Sequence, residues 1–286
     1  MISRHQITRD IHAELEILKD RYERDQRKLV KRINQGSSVN LNGYKDTPLE
    51  FALFSTLNSD FSEVRSSLVA HVEMGVGHFQ REFSSEAQVT IKLGEEAYLV
   101  DSAQKRIGVS LFDWWSLLGI TLILREEGLR GKLLTFFEDS AASSGDPFWR
   151  RSTDLVLICL GEKPVHERII ENIKSIARSG IVESHGAEGS DLVKSADGRA
   201  IREALWVPIM ELYHFALNND SAGFNTKLQV YLTDKKEWIG KNGEQDNSLY
   251  WVDFPLLACC SYAHDRGIAV SVESDYIPEP LYSGNF

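Results

Sequence analysis

Three cysteines in 286 residues are too few, and too awkwardly placed, for a disulfide framework. Cys259 and Cys260 are chain neighbours, which rarely bridge each other, and Cys159 leaves the total odd. The chain reads as a reduced, cytoplasmic protein, and its charged start, MISRHQITRDIHAELE, has no apolar h-region to mark a secretory signal. Long hydrophobic runs are missing too. The greasiest, Ser110–Leu124, is interrupted by Asp113 and falls short of the roughly 20 residues a bilayer span needs, so it reads as a buried helix. Positive charge is in deficit: 32 Lys and Arg stand against 42 Asp and Glu, a net charge of −10 that argues against gripping nucleic acid or anionic lipid. What is present is 42% hydrophobic and 26% charged residues, the composition of a globular chain able to bury a core without disulfides or metal.

Helical periodicity dominates. Ile7, Ile11, Leu15, Leu18, Tyr22, Leu29 and Ile33 trace one apolar stripe over residues 4–34, and nine basic and six acidic residues crowd its other faces. Thr47-Pro48-Leu49-Glu50 has the form of a capping box with proline at the first helical position. Further helices are expected over 62–83 and 85–102, although Val89-Thr90-Ile91-Lys92-Leu93 alternates as a strand would. Ser110 starts the most apolar helix, residues 126–137 supply a short partner, Asp146-Pro147 opens a helix to about Leu160, and Pro164 opens another. Residues 179–198 are polar and glycine-bearing, the best place for a long loop or a subdivision of an otherwise single domain spanning 1–286. Helices follow over 199–218, with Pro208 as a kink, then 220–239 and 248–265. Gly267 stands where a helix C′ glycine belongs, and Ile268–Val272 alternates as a short β segment near the C-terminus. The expected fold is all-α, about ten helices packed as α-hairpins. Trp115-x-x-Leu118-Gly119 echoes the opening of a tetratricopeptide repeat without a second copy.

The common catalytic patterns are missing as well. There is no HExxH, CxxC or G-x-S-x-G, and Cys260 with His264 makes two potential ligands rather than a metal site. His71 and His78 share a helical face, where a packed, hydrogen-bonded pair is the ordinary explanation. Gly128-x-x-Gly131-Lys132 has the tail of a phosphate loop, but Glu126 occupies its first glycine position, and Gly75-Val76-Gly77 lacks a preceding strand. Arg65 and His71 miss by one residue the R-x4-H spacing of some all-α RNases. With none of these patterns present, an enzyme is the less favoured reading. Charge, by contrast, collects. Residues 244–286 hold seven acids (Glu244, Asp246, Asp253, Asp265, Glu273, Asp275 and Glu279) and one base, Arg266, interleaved with Tyr250, Trp251, Phe254, Tyr262, Tyr276 and Tyr282. Carboxylates steer and aromatics anchor, so Glu244, Asp246, Asp265, Glu273, Asp275, Glu279 and Tyr276 are the candidate contacts for a basic protein partner. The competing reading is that the aromatics are core and the acids merely solvated, most strongly for Asp253, which lies between Trp251 and Phe254.

The ordered set Asp253-Phe254-Pro255, Ala263 to Gly267 and Ser274-x-Tyr276-x-Pro278 resembles the bacterial immunity protein forty-nine family, most sharply over residues 250–282. The resemblance implies a mostly helical protein encoded beside a polymorphic toxin, which inhibits that toxin stoichiometrically by blocking its active site or substrate groove, without cofactor or catalysis. With a net charge of −10, a basic nuclease toxin is the suited partner. Two alternatives stay open: a helical-repeat scaffold for another protein, and an all-α hydrolase built around Cys260, His264 or His214.

Overall fold

The computed structural model describes residues 1–36, 39–103, 109–143, 146–179 and 196–286; the expected loop at 179–198 lies almost wholly outside them. The chain is mainly helical. Three long helices come first, α1 (Ile11–Asn34), α2 (Asn42–Leu57) and α3 (Phe61–Phe83), followed by the strands β1 (Gln88–Leu93) and β2 (Glu96–Asp101). Then come α4 (Leu111–Leu124), α5 (Glu127–Leu134), α6 (Phe137–Ser143), α7 (Pro147–Cys159), α8 (Ile169–Ser179) and α9 (Ala196–Ile201). A π-helical turn, Arg202–Trp206, leads into α10 (Val207–Leu217), and α11 (Ser221–Asn242), α12 (Phe254–Asp265) and the short α13 (Glu279–Ser283) complete the chain. No helix among the described residues is long and apolar enough to cross a membrane.

Helix starts follow side-chain chemistry. Asp10, Asp60, Ser110, Asp146, Asp220 and Asp253 each accept a hydrogen bond from a first-turn amide, satisfying a donor that the helix itself leaves free. Helix α4 is the hub: it packs against α3, α5, α6, α7, α12 and α13. The main core gathers around it, with Trp114, Leu118 and Ile123 fully buried. Close approach is made possible by small residues. A Cβ on Gly75 of α3 would lie 2.4 Å from Leu117 Cδ1, and one on Gly119 would lie 3.3 Å from Ala258. A smaller core of Leu29, Ile33, Val39, Leu41, Met74, Ile91 and Val100 joins α1 and α3 to the hairpin.

Several sequence expectations are corrected. The helix expected over 85–102 is an antiparallel hairpin, with Ile91 opposite Tyr98 and Val89 opposite Val100. The strand-like alternation prevails because Gly94 takes the left-handed conformation that the turn requires, sending Ile91 and Val100 inward together. Helix α1 begins at Ile11 rather than residue 4, and the residues before it cross to the far end of the chain. Thr47 does not cap: α2 already starts at Asn42, Pro48 sits inside it, and the Thr47 hydroxyl donates to Asp25 at 3.5 Å. The partner expected over 126–137 is split between α5 and α6, and the helix assigned to Pro164 begins only at Ile169. The irregularity expected at Pro208 is the π turn that precedes it. The run Ile268–Val272 joins no strand; its neighbourhood contributes a single parallel bridge between Ile2 and Ser274. Nor is there a continuous helix over 248–265, since Asp253 and Pro255 restart it after a short 3-10 turn.

Two histidines are sealed inside. His71 donates from Nδ1 to the Lys45 carbonyl at 2.5 Å, whereas neither ring nitrogen of His78 has a hydrogen-bond partner. Burial pushes both imidazoles down to about 4. Below about pH 6.5 the unfolded chain takes up protons that these rings refuse in the fold. Stability should therefore fall between pH 6.5 and 4, by up to about 3 kcal/mol per ring. Urea midpoints across this window should decline, and less steeply in His78→Leu; a flat profile contradicts the assignment. Gly75→Ala should cost about 1–3 kcal/mol, because the added methyl would force Leu117, buried in the main core, to shift. Thermal melting measures it, and an unchanged Tm would show that α3 and α4 do not meet so tightly.

Candidate functional site

The acidic, aromatic C-terminal segment is built around one buried carboxylate. Asp253 begins α12 and accepts the Leu256 amide on Oδ1 at 3.0 Å. Its Oδ2 accepts from Lys235 Nζ at 2.6 Å and from the Tyr231 hydroxyl at 2.7 Å, both on α11. Asp253 and Lys235 side chains are each 4% exposed, so the pair is isolated from water. Beside it, burial and the Asp253 charge hold the Tyr231 phenol well above its ordinary value, which keeps it a donor. The Asp253 amide in turn donates to the Tyr276 carbonyl at 2.9 Å, which fastens the last extended stretch of chain to the start of α12.

The N-terminus closes over this knot. Tyr276 is fully buried and its hydroxyl lies 2.9 Å from His5 Nδ1. His5 Nε2 lies 2.8 Å from the Gln245 carbonyl, which can only accept, so Nε2 carries the proton and Nδ1 accepts from Tyr276. Burial, ahead of nearby Arg4 and Lys235, lowers the His5 pKa and favours that neutral form. The Gln245 carbonyl also accepts from Trp251 Nε1 at 2.9 Å. The Arg9 guanidinium lies 5.6 Å from the Phe54 ring centre and 5.3 Å from that of Trp251.

The seven residues singled out in the sequence thus separate into different roles. Tyr276 is a correction: it faces inward and offers nothing to a partner. Asp246 accepts from the Thr8 amide at 2.9 Å and from its hydroxyl at 2.5 Å, and Asp275 accepts from the Arg4 amide at 3.1 Å, so both tether the N-terminus. Asp265 pairs with Arg125 at 2.9 Å, and Arg125 also reaches the Tyr282 carbonyl, tying the end of α4 to the C-terminus. Glu244 accepts from Asn247 at 2.8 Å. Glu273 and Glu279 are exposed and enter no ion pair among the described residues. Gly267 does sit at a positive φ of 83° after α12, as a C′ glycine should.

The alternatives for catalysis find little support in this geometry. Cys260 is fully buried whereas His264 is exposed, so the two do not share a site. Burial raises the pKa of all three thiols, Cys159 to about 12, which leaves them protonated. Among the described residues no group of three or more His, Cys, Asp or Glu is placed to hold a metal ion. Sequence reasoning missed two surface features. One is an aromatic cluster in which Trp149 and Trp206 pack on each other and on both Phe112 and Trp115, assembled from α4, α7 and the π turn. The other is a groove of about 610 Å³ beside β2. Neither has a local signal, because each is assembled from segments far apart in the chain.

A mainly helical protein whose buried charges, thiols and imidazoles serve packing, capping and chain fastening falls in the all-α class. The model of the family Immunity protein 49 (Imm49) matches residues 59–281, and the chain belongs to that family. No curated protein and no solved structure matches it. In the structure, Asp253, Tyr276 and Gly267 build the C-terminal knot and its helix end.

Removing the Asp253 carboxylate leaves a buried ammonium unpaired, so Asp253→Ala should cost about 3–5 kcal/mol. Asp246→Ala, at a fully exposed carboxylate, should change the urea midpoint far less. Equal effects would mean that the buried pair does not organise this end of the molecule.

Proposed function

We propose that this protein neutralises a cognate toxin domain by binding it stoichiometrically and covering its active site or substrate groove, and that the toxin is a basic nuclease. Membership of the Imm49 family over residues 59–281 is the observation that carries the immunity role. The basic partner is supported by the net charge of −10 and by the six excess negative charges within residues 244–286. In this reading the side chains of Glu273 and Glu279, which enter no ion pair among the described residues, supply long-range attraction together with Glu244, Asp246, Asp265 and Asp275. Such attraction raises the association rate more than the intrinsic affinity. No catalysis, cofactor, nucleic acid or membrane is required, and the cytoplasm, where a nuclease meets its substrate, is the place of action.

Co-expression with the toxin domain encoded in the neighbouring reading frame should restore growth; toxicity that persists in the presence of folded protein would overturn the immunity reading. The association rate, measured by stopped flow with a catalytically inactivated toxin domain, should fall about ten-fold or more as ionic strength rises from about 0.01 to about 1 M, where the screening length shrinks from roughly 30 to 3 Å. A salt-independent rate would remove the basic partner while leaving the immunity role standing.

A further inference from the structure

Strands β1 and β2 are joined by the two residues Gly94 and Glu95, flanked by the pair Leu93 and Glu96. In a two-residue hairpin the flanking pair exchanges backbone hydrogen bonds, and bonded pairs then alternate along the ladder. Leu93–Glu96, Ile91–Tyr98 and Val89–Val100 are the bonded pairs, so the N–H and C=O groups of Ala97 and Leu99 point away from β1. The sheet has two strands, and among the described residues nothing outside the hairpin bonds to the Ala97 or Leu99 backbone. Leu99 is 61% exposed. The groove of about 610 Å³ lies beside this strand, lined by Arg27, Val30, Lys31 and Asn34 of α1 and by Glu96 and Tyr98 of β2. Ile91 and Val100, packed into the smaller core, hold the hairpin in place.

We propose that the outer edge of β2 is a docking seat for an extended segment of the cognate toxin, which adds a third strand to the hairpin and directs a carboxylate at Lys31 and Arg27. This rests on the immunity reading above. The unpaired amides and carbonyls select the conformation of the occupant, since a helix has already satisfied its own backbone and an extended strand has not. The groove wall selects the charge, because its two bases outnumber its one acid: Lys31 has no acidic partner among the described residues, Arg27 has only Glu23, at 3.5 Å along the same helix, and Glu96 is engaged by the Tyr98 hydroxyl. A second copy of this chain fits poorly. Antiparallel pairing through Ala97 and Leu99 would set Tyr98 against its counterpart and place Glu95 opposite Asp101 twice, and like charges directly opposite destabilise a ladder. Steering by net charge acts at long range, whereas this seat reads local chemistry, so a toxin basic overall satisfies both if its docking strand carries an acidic side chain.

Leu99→Pro tests the seat, because it deletes an N–H that points outward without touching the β1 ladder, whereas Leu99→Ala keeps that N–H. With a catalytically inactivated toxin domain as titrant, Leu99→Pro should weaken binding at least about ten-fold, and Leu99→Ala much less. Lys31→Glu should also weaken binding. In the wild-type complex, the Ala97 and Leu99 amides should exchange with solvent more slowly than in the free protein, a measurement that stands even if the proline variant misfolds. Wild-type protein that binds the toxin with both amides as exposed as before would overturn the seat alone. Wild-type protein that does not bind the toxin at all would overturn the immunity reading. Self-association abolished by Leu99→Pro, with toxin binding unaffected, would give the edge to a second copy instead.

Discussion

A carboxylate buried with an ammonium is a demanding arrangement, and the C-terminal third of this protein is organised to meet the demand. Asp253 has lost its hydration and recovers it through Lys235, Tyr231 and the Leu256 amide. Each partner comes from a helix whose position is thereby restricted: α12 must start at Asp253, and α11 must present Tyr231 and Lys235 one turn apart. Through its own amide the same residue fixes the chain at Tyr276, and through Tyr276 and His5 it fixes the N-terminus. The net energy of such a pair is modest beside a hydrophobic substitute. What it confers is specificity, because few other packings bring Lys235, Tyr231 and the Leu256 amide together on one carboxylate.

That knot changes the meaning of the acidic terminus. A cluster of carboxylates resembles a free surface when counted along the sequence, yet three of the acids have Arg4, Thr8 or Arg125 as close neighbours. Hydrogen-bonded carboxylates still contribute to the field around the molecule, but they are not free to reorient around a partner. Attraction and grip are therefore separable tasks in this fold. The field belongs to the whole acidic chain, while the geometry of a contact requires groups with unsatisfied hydrogen bonds or exposed apolar area. Those occur elsewhere, along the β2 edge and at the aromatic cluster of Phe112, Trp149 and Trp206.

Much of the helical framework was legible locally. Ser110, Asp146-Pro147 and Gly267 perform the terminating roles that their types and positions announce, and Ser110–Leu124 is the buried helix its composition implies. The misreadings have a common cause. Thr47-Pro48 carries a start signal, but α2 extends upstream because Lys45 and Thr47 find partners in Asp113 and Asp25. The stretch 85–102 admits either period, and the decision lies with Leu41 and Met74, which give Ile91 and Val100 a place to be buried. Tyr276 is an aromatic among acids, a composition shared by interfaces and cores alike, and only His5, 271 residues away, resolves which one it is.

The amino-acid sequence by itself determined the helical class, the family and those helix ends marked at Ser110, Asp146-Pro147 and Gly267, because periodicity, caps and motif order are properties of neighbouring residues. It also determined the bulk charge of −10. Only the tertiary structure decided which carboxylates are engaged and which are free, and which strand edge is left without a partner. Both depend on pairings between distant segments, and the energy of such a pairing is settled by the geometry of burial, which no local pattern contains.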